Sequence, residues 1–130
     1  MIAVADTAAG SFAIDLETGE VEPSSVAAEP APSASLNLPR LVAAAASGST
    51  VVAVVAAKPP LLVSHDAGVT WRESGRGLPA GFAVAIAADD PDLVVYASRN
   101  RLYVSRNGGV FWTALDAELP AIAALELRES

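Results

Sequence analysis

Apolar residues along this chain recur in short alternating runs rather than at helical spacing. Val51, Val52, Val54 and Val55 are β-branched and suit a pleated, half-buried strand. The pattern predicts strands over 41–46, 51–56, 83–88, 93–98, 102–106 and 111–116, and shorter ones over 2–6, 12–15, 20–22 and 122–127. Turn signals separate them: Ser47-Gly48-Ser49-Thr50, Asp89-Asp90-Pro91-Asp92, Arg99-Asn100-Arg101 and Asn107-Gly108-Gly109. The stretch from Pro23 to Ser35 is rich in Pro, Ala and Ser and reads as a connector or long surface loop.

The chain repeats itself. Ser64, Gly68, Trp71, Leu78 and Pro79 recur as Ser105, Gly109, Trp112, Leu119 and Pro120, with no gap between them. The strands upstream follow the same offset, so that Leu61-Leu62-Val63-Ser64 lies on Leu102-Tyr103-Val104-Ser105. A unit of four short strands and roughly 40 residues has the size of one propeller blade. The expected fold is therefore all-β, built of four-stranded antiparallel blades. A partial blade is expected over 1–22, a loop over 23–35, whole blades over 36–79 and 80–120, and over 121–130 a strand that completes the partial blade. That makes three blades. Propellers close with roughly four to eight. Open blade faces invite association, so two chains pairing into a six-bladed ring is one expectation, and a section of a longer propeller is the other.

Ser64-His65-Asp66-Ala67-Gly68-Val69-Thr70-Trp71 fits the pattern S-x-D-x-G-x-T-W, and here the chain resembles the Asp-box (BNR) repeat family. That family includes sialidases, sortilin-type receptors, some xyloglucan hydrolases and photosystem assembly factors. Ser105-Arg106-Asn107-Gly108-Gly109-Val110-Phe111-Trp112 is a degenerate second copy, with Asn for the Asp and Phe for the Thr. The resemblance implies that Ser64, Asp66, Gly68, Thr70 and Trp71, with Ser105, Asn107, Gly109 and Trp112, serve structure and not chemistry. Physical chemistry agrees with that role. A tight hairpin needs positive φ, which Gly accepts. A carboxylate can collect nearby backbone N–H groups, as in an Asx-turn. An indole can fill a slot between blades. His65 falls at a variable position of the pattern and is expected to face solvent as a spacer.

Composition narrows the function. Fifteen acids against eight bases give a net charge of −7, which argues against nucleic acid, since little basic surface exists to displace phosphate counterions. There is no cysteine and one histidine, which excludes a disulfide scaffold, a thiol nucleophile and a multi-His metal centre. No cofactor and no metal are expected. Weak calcium binding at Asp89, Asp90 and Asp92 is set against an ordinary acidic turn, and the turn is preferred. The uncharged run 41–57 is short for a membrane span and is broken by Ser47-Gly48-Ser49-Thr50, so two buried strands are preferred. MIAVADTAAG lacks the pattern of a secretory signal, so the compartment reads as cytoplasmic, or as extracytoplasmic for a processed fragment.

Catalytic machinery is not evident. Leu38-Pro39-Arg40 does not match the arginine context of sialidases, and Tyr96 and Tyr103 alternate with apolar neighbours as core residues do. No pair of carboxylates stands out for glycoside hydrolysis. Arg99, Arg101 and Arg106 are the one concentration of positive charge and the candidate partner-binding residues. The functional expectation is a non-catalytic binding or scaffold module that meets a protein partner or ligand through its loops. The alternative is a carbohydrate-active protein: a lectin-like ring, or a fragment of a sialidase-like or other BNR-type glycoside hydrolase.

Overall fold

The computed structural model describes residues 1–31 and 36–129. Residues 32–35 of the Pro/Ala/Ser stretch, and Ser130, lie outside them. Twelve strands form three four-stranded antiparallel sheets, and no helix occurs among the described residues. The first sheet holds β1 (Ile2–Thr7), β2 (Gly10–Asp15), β3 (Val21–Pro23) and, from the far end of the chain, β12 (Ile122–Arg128). Its order is β12-β1-β2-β3. The second sheet runs β4 (Leu41–Ser47), β5 (Thr50–Val55), β6 (Leu61–Ser64), β7 (Arg72–Ser74). The third runs β8 (Gly81–Ala87), β9 (Asp90–Ser98), β10 (Leu102–Ser105), β11 (Thr113–Ala114). The uncharged run 41–57 is thus largely two paired strands, and no helix of the described residues is long and apolar enough to cross a membrane.

β8 lies beside both β4 and β12, so the third sheet is sandwiched between the other two. Alternation on β9 divides its side chains between two cores. Val94 and Tyr96 pack with Val52, Val54, Leu61 and Val63 of the second sheet. Leu93, Val95 and Ala97 pack with Ala3, Ala5, Ile14 and Leu125 of the first. A strand buried on both faces reads as a continuous apolar run, as Leu93-Val94-Val95-Tyr96-Ala97 does.

Three local features depart from expectation. The turn before β9 is Ala88-Asp89, and Asp90, Pro91 and Asp92 already belong to the strand as exposed residues. The fourth strand of the third sheet is only Thr113–Ala114, because Phe111 is still held by the preceding turn through its N–H to Asn107. Each of β4, β8 and β12 also carries a bulge near its start, which leaves Val42, Phe82 and Ala123 without a paired partner. Val42 and Phe82 are 45% and 53% exposed, large apolar side chains turned to solvent at matching places in two sheets.

Segment 24–31 lies on the first sheet. Ser24 N–H donates to Ser11 O, Ala28 N–H to Asp6 Oδ1 and Glu29 N–H to Glu126 Oε1, while Arg128 Nη2 donates to Ala27 O. Asp6, Glu126 and Arg128 alternate with residues of the core facing the third sheet, so the segment covers the opposite face. Val4 is accordingly buried, with only 3% of its surface exposed.

Candidate functional site

The motif residues build two hairpin locks. In the first, Asp66 Oδ1 accepts from Ser64 Oγ at 2.7 Å and from Thr70 N–H at 2.8 Å, and Asp66 Oδ2 accepts from the Thr70 hydroxyl. Ser64 Oγ in turn accepts from Gly68 N–H at 2.8 Å. The chain turns through Ala67 and Gly68 at φ +59° and +91°. These bonds favour the ionised form and hold the Asp66 carboxyl down at about 2, the Thr70 hydroxyl contributing most. The second lock repeats the first with one bond fewer. Asn107 Oδ1 accepts from Ser105 Oγ and from Phe111 N–H, both at 2.9 Å, and Gly109 N–H donates to Ser105 Oγ at 2.8 Å. Phe111 has no hydroxyl to offer and stands 75% exposed.

The second position of each motif fastens one sheet to the next. His65 Nε2 lies 3.0 Å from Gly108 O in the neighbouring hairpin. Its counterpart Arg106 donates to Leu16 O at 3.1 Å and lies 3.5 Å from Glu17, in the turn between β2 and β3. His65 is therefore exposed but not an idle spacer. Nothing in the local sequence marks this role, since it depends on which turn the neighbouring sheet presents.

The two indoles differ. Trp112 packs into the core between the second and third sheets, edge-on to Tyr96, and donates to Ser74 Oγ at 2.9 Å. Ser74 donates onward to Gly109 O. Trp71 belongs to neither core cluster. It precedes Glu73 by two residues, and Glu73 pairs with Leu62 on the second-sheet face turned away from the third sheet. Trp71 is half-buried there, and no other sheet of the described residues packs on that face.

The three candidate arginines do not form one patch. Arg101 and Arg106 flank β10 at opposite ends, roughly 17 Å apart for an extended strand. Arg101 pairs with Glu118 at 3.1 Å and Arg106 is engaged as above, while Arg99 is exposed in its turn. Tyr96 is fully buried, its hydroxyl donating to Pro79 O at 2.7 Å, and burial pushes it up to about 12. Among the described residues no group of three or more acidic or histidine side chains is arranged to hold a metal.

A wide concavity lies elsewhere among the described residues. A groove of about 960 Å³ opens where the β5–β6 turn meets the start of β4 and the link from β7 to β8. Half-buried Pro59 and Leu78 and buried Pro60 give it an apolar lining. Arg40, Lys58 and Arg76 stand exposed around it, and no Asp or Glu lines it. Sequence reasoning missed this cluster, because its three cations come from separate segments. A smaller cavity of about 280 Å³ lies among β4, β8 and β12 and is lined in part by Glu29 and Glu126. Arg128 donates to Glu126 at 2.8 Å and holds its carboxyl below the usual range.

No protein-family profile matches the chain, and no curated protein matches it. Among solved structures it is similar to the crystal structure of the GH74 enzyme of Niastella koreensis, with 24% sequence identity and a TM-score of 0.50. What the two share is the fold. The likeness covers 95% of this chain and 19% of that one, so the chain spans about a fifth of the length of a propeller-type glycoside hydrolase.

Proposed function

We propose that this chain is a three-blade Asp-box repeat module that binds a ligand or partner through its loops and performs no catalysis. The observation that carries this reading is the 960 Å³ groove: it has the size of a ligand site and an apolar lining, and no carboxylate lines it. In the sheets themselves, the motif residues other than Trp71 are engaged in hairpin locks and sheet-to-sheet contacts, which supports a structural reading of Ser64, Asp66, Gly68, Thr70, Ser105, Asn107, Gly109 and Trp112.

A carbohydrate-active protein is the second reading, favoured by the likeness to a GH74 enzyme and by Glu29 and Glu126 at the inner cavity. Glycoside hydrolysis requires a general acid whose pKa is raised, commonly by an apolar setting. Every described carboxyl that departs clearly from its ordinary range departs downward: Asp6, Asp66 and Glu126. The test is incubation with xyloglucan, β-glucan and a chromogenic sialoside. No release of reducing ends or chromophore is expected. Turnover that disappears in Glu29→Gln or Glu126→Gln would establish the second reading instead.

Pairing of two chains into a six-bladed ring remains part of the first reading. Its support is the second sheet's outer face, where Leu62 and Trp71 stand half-buried beside buried Ala53 and no other sheet of the described residues packs.

A further inference from the structure

We infer that the groove formed by the β5–β6 turn, the residues before β4 and the link from β7 to β8 is a docking site for an extended acidic peptide segment carrying aliphatic side chains. The inference rests on the binding reading above and adds the chemistry of the occupant.

Charge is the first argument. The chain has eight bases and a net charge of −7. Arg101, Arg106 and Arg128 are in ion pairs. Three of the remaining five, Arg40, Lys58 and Arg76, converge on one concavity, and none of them is in an ion pair. Like charges gathered from three separate segments, with no acid lining the groove, make a local positive field on an acidic molecule. Such a field attracts anionic ligands and disfavours cationic ones.

Shape and lining form the second argument. The volume of about 960 Å³ sits at the upper end of ligand sites, large enough for several residues of peptide. Pro59, Pro60, Leu78 and Pro79 supply apolar contact without aromatic rings, which suits aliphatic side chains better than sugar rings that stack. The apolar surface continues beyond the lining. Two residues after Arg40 and Ala80, both of which line the groove, the bulges turn Val42 and Phe82 to solvent. Cations beside exposed apolar side chains are the complement of a segment in which carboxylates alternate with aliphatic residues.

The test uses fluorescence anisotropy with a short fluorescein-labelled peptide alternating glutamate and leucine. A glutamine-for-glutamate peptide and an oligogalacturonate serve as the competing probes. The glutamate peptide is expected to bind and to weaken as salt rises. Arg40→Gln, Lys58→Gln and Arg76→Gln each weaken binding about threefold, and together about thirtyfold, with thermal stability unchanged because the side chains are exposed. Phe82→Ala weakens it as well. Equal binding of the glutamine peptide, preference for the oligogalacturonate, or no binding would overturn the inference. Glutamate-peptide binding that ignores all four substitutions would also overturn it, yet would leave the binding-module reading intact. Glycan turnover without peptide binding would remove both.

Discussion

Asp66 and Asn107 occupy the same place in two hairpins, and the difference between them is a charge and one hydrogen bond. Because the folded Asp66 carboxyl sits at about 2 against an ordinary 3.8, its contribution to stability is fully present above pH 4 and is lost as pH falls toward 2. Asp66→Asn should therefore lower the melting temperature at pH 7 and flatten its acid limb between those values. A melting series across that window in both proteins checks the sign. Gly81 makes a sharper demand. A Cβ there would overlap the Tyr96 ring, which is buried and tied to Pro79. Gly81→Ala should destabilise by about 1–3 kcal/mol through overpacking, measurable by urea denaturation. The hairpin locks were legible in the sequence because their donors and acceptors lie within a few residues of one another. The Gly81–Tyr96 contact and the clasps by His65 and Arg106 were not, because each depends on how two strands or two sheets meet across the chain.

Strands were the most legible elements. Period-two alternation and the recurrence of each unit point to twelve strands, the number found among the described residues, but not to which chain's β1 the terminal β12 would join; here it joins its own. Sequence could not say which face of each sheet would be covered. It therefore treated the two tryptophans alike, and their surroundings differ. Trp112→Ala removes an indole from between two sheets and leaves the Ser74 hydroxyl without a donor, so a loss of about 3–5 kcal/mol is expected. Trp71→Ala should cost well under half of that in the single chain, since the indole is half-buried and its face meets no further sheet. Equal losses would mean that Trp71 is covered in solution. His65→Ala should remove about 1 kcal/mol or less from the contact between the second and third sheets.

At the scale of the molecule, the two outward faces are unlike. That of the first sheet is covered by segment 24–31, anchored through Asp6, Glu126 and Arg128. That of the second sheet carries half-buried Leu62 and Trp71 beside buried Val51, Ala53 and Val55, and among the described residues no segment is hydrogen-bonded across it in that way. A six-bladed ring of two chains would set the first sheet of one against the second sheet of the other, with segment 24–31 in or beside the seam. Back-to-back pairing would use the second sheets alone. The composition of Pro23 to Ser35 marked a connector, but a Pro/Ala/Ser stretch gives no sign that the amides of Ala28 and Glu29 dock on distant carboxylates. Two substitutions separate the arrangements by sedimentation equilibrium. Trp71→Glu places a charge on the second sheet's face and should dissociate either dimer. Asp6→Ala frees the Ala28 amide and loosens the covering segment, so it should shift the association constant of a ring and leave a back-to-back dimer unchanged. A stable monomer in the unsubstituted protein would refute both arrangements. It would leave the half-buried indole of Trp71 as a surface for a different chain to complete.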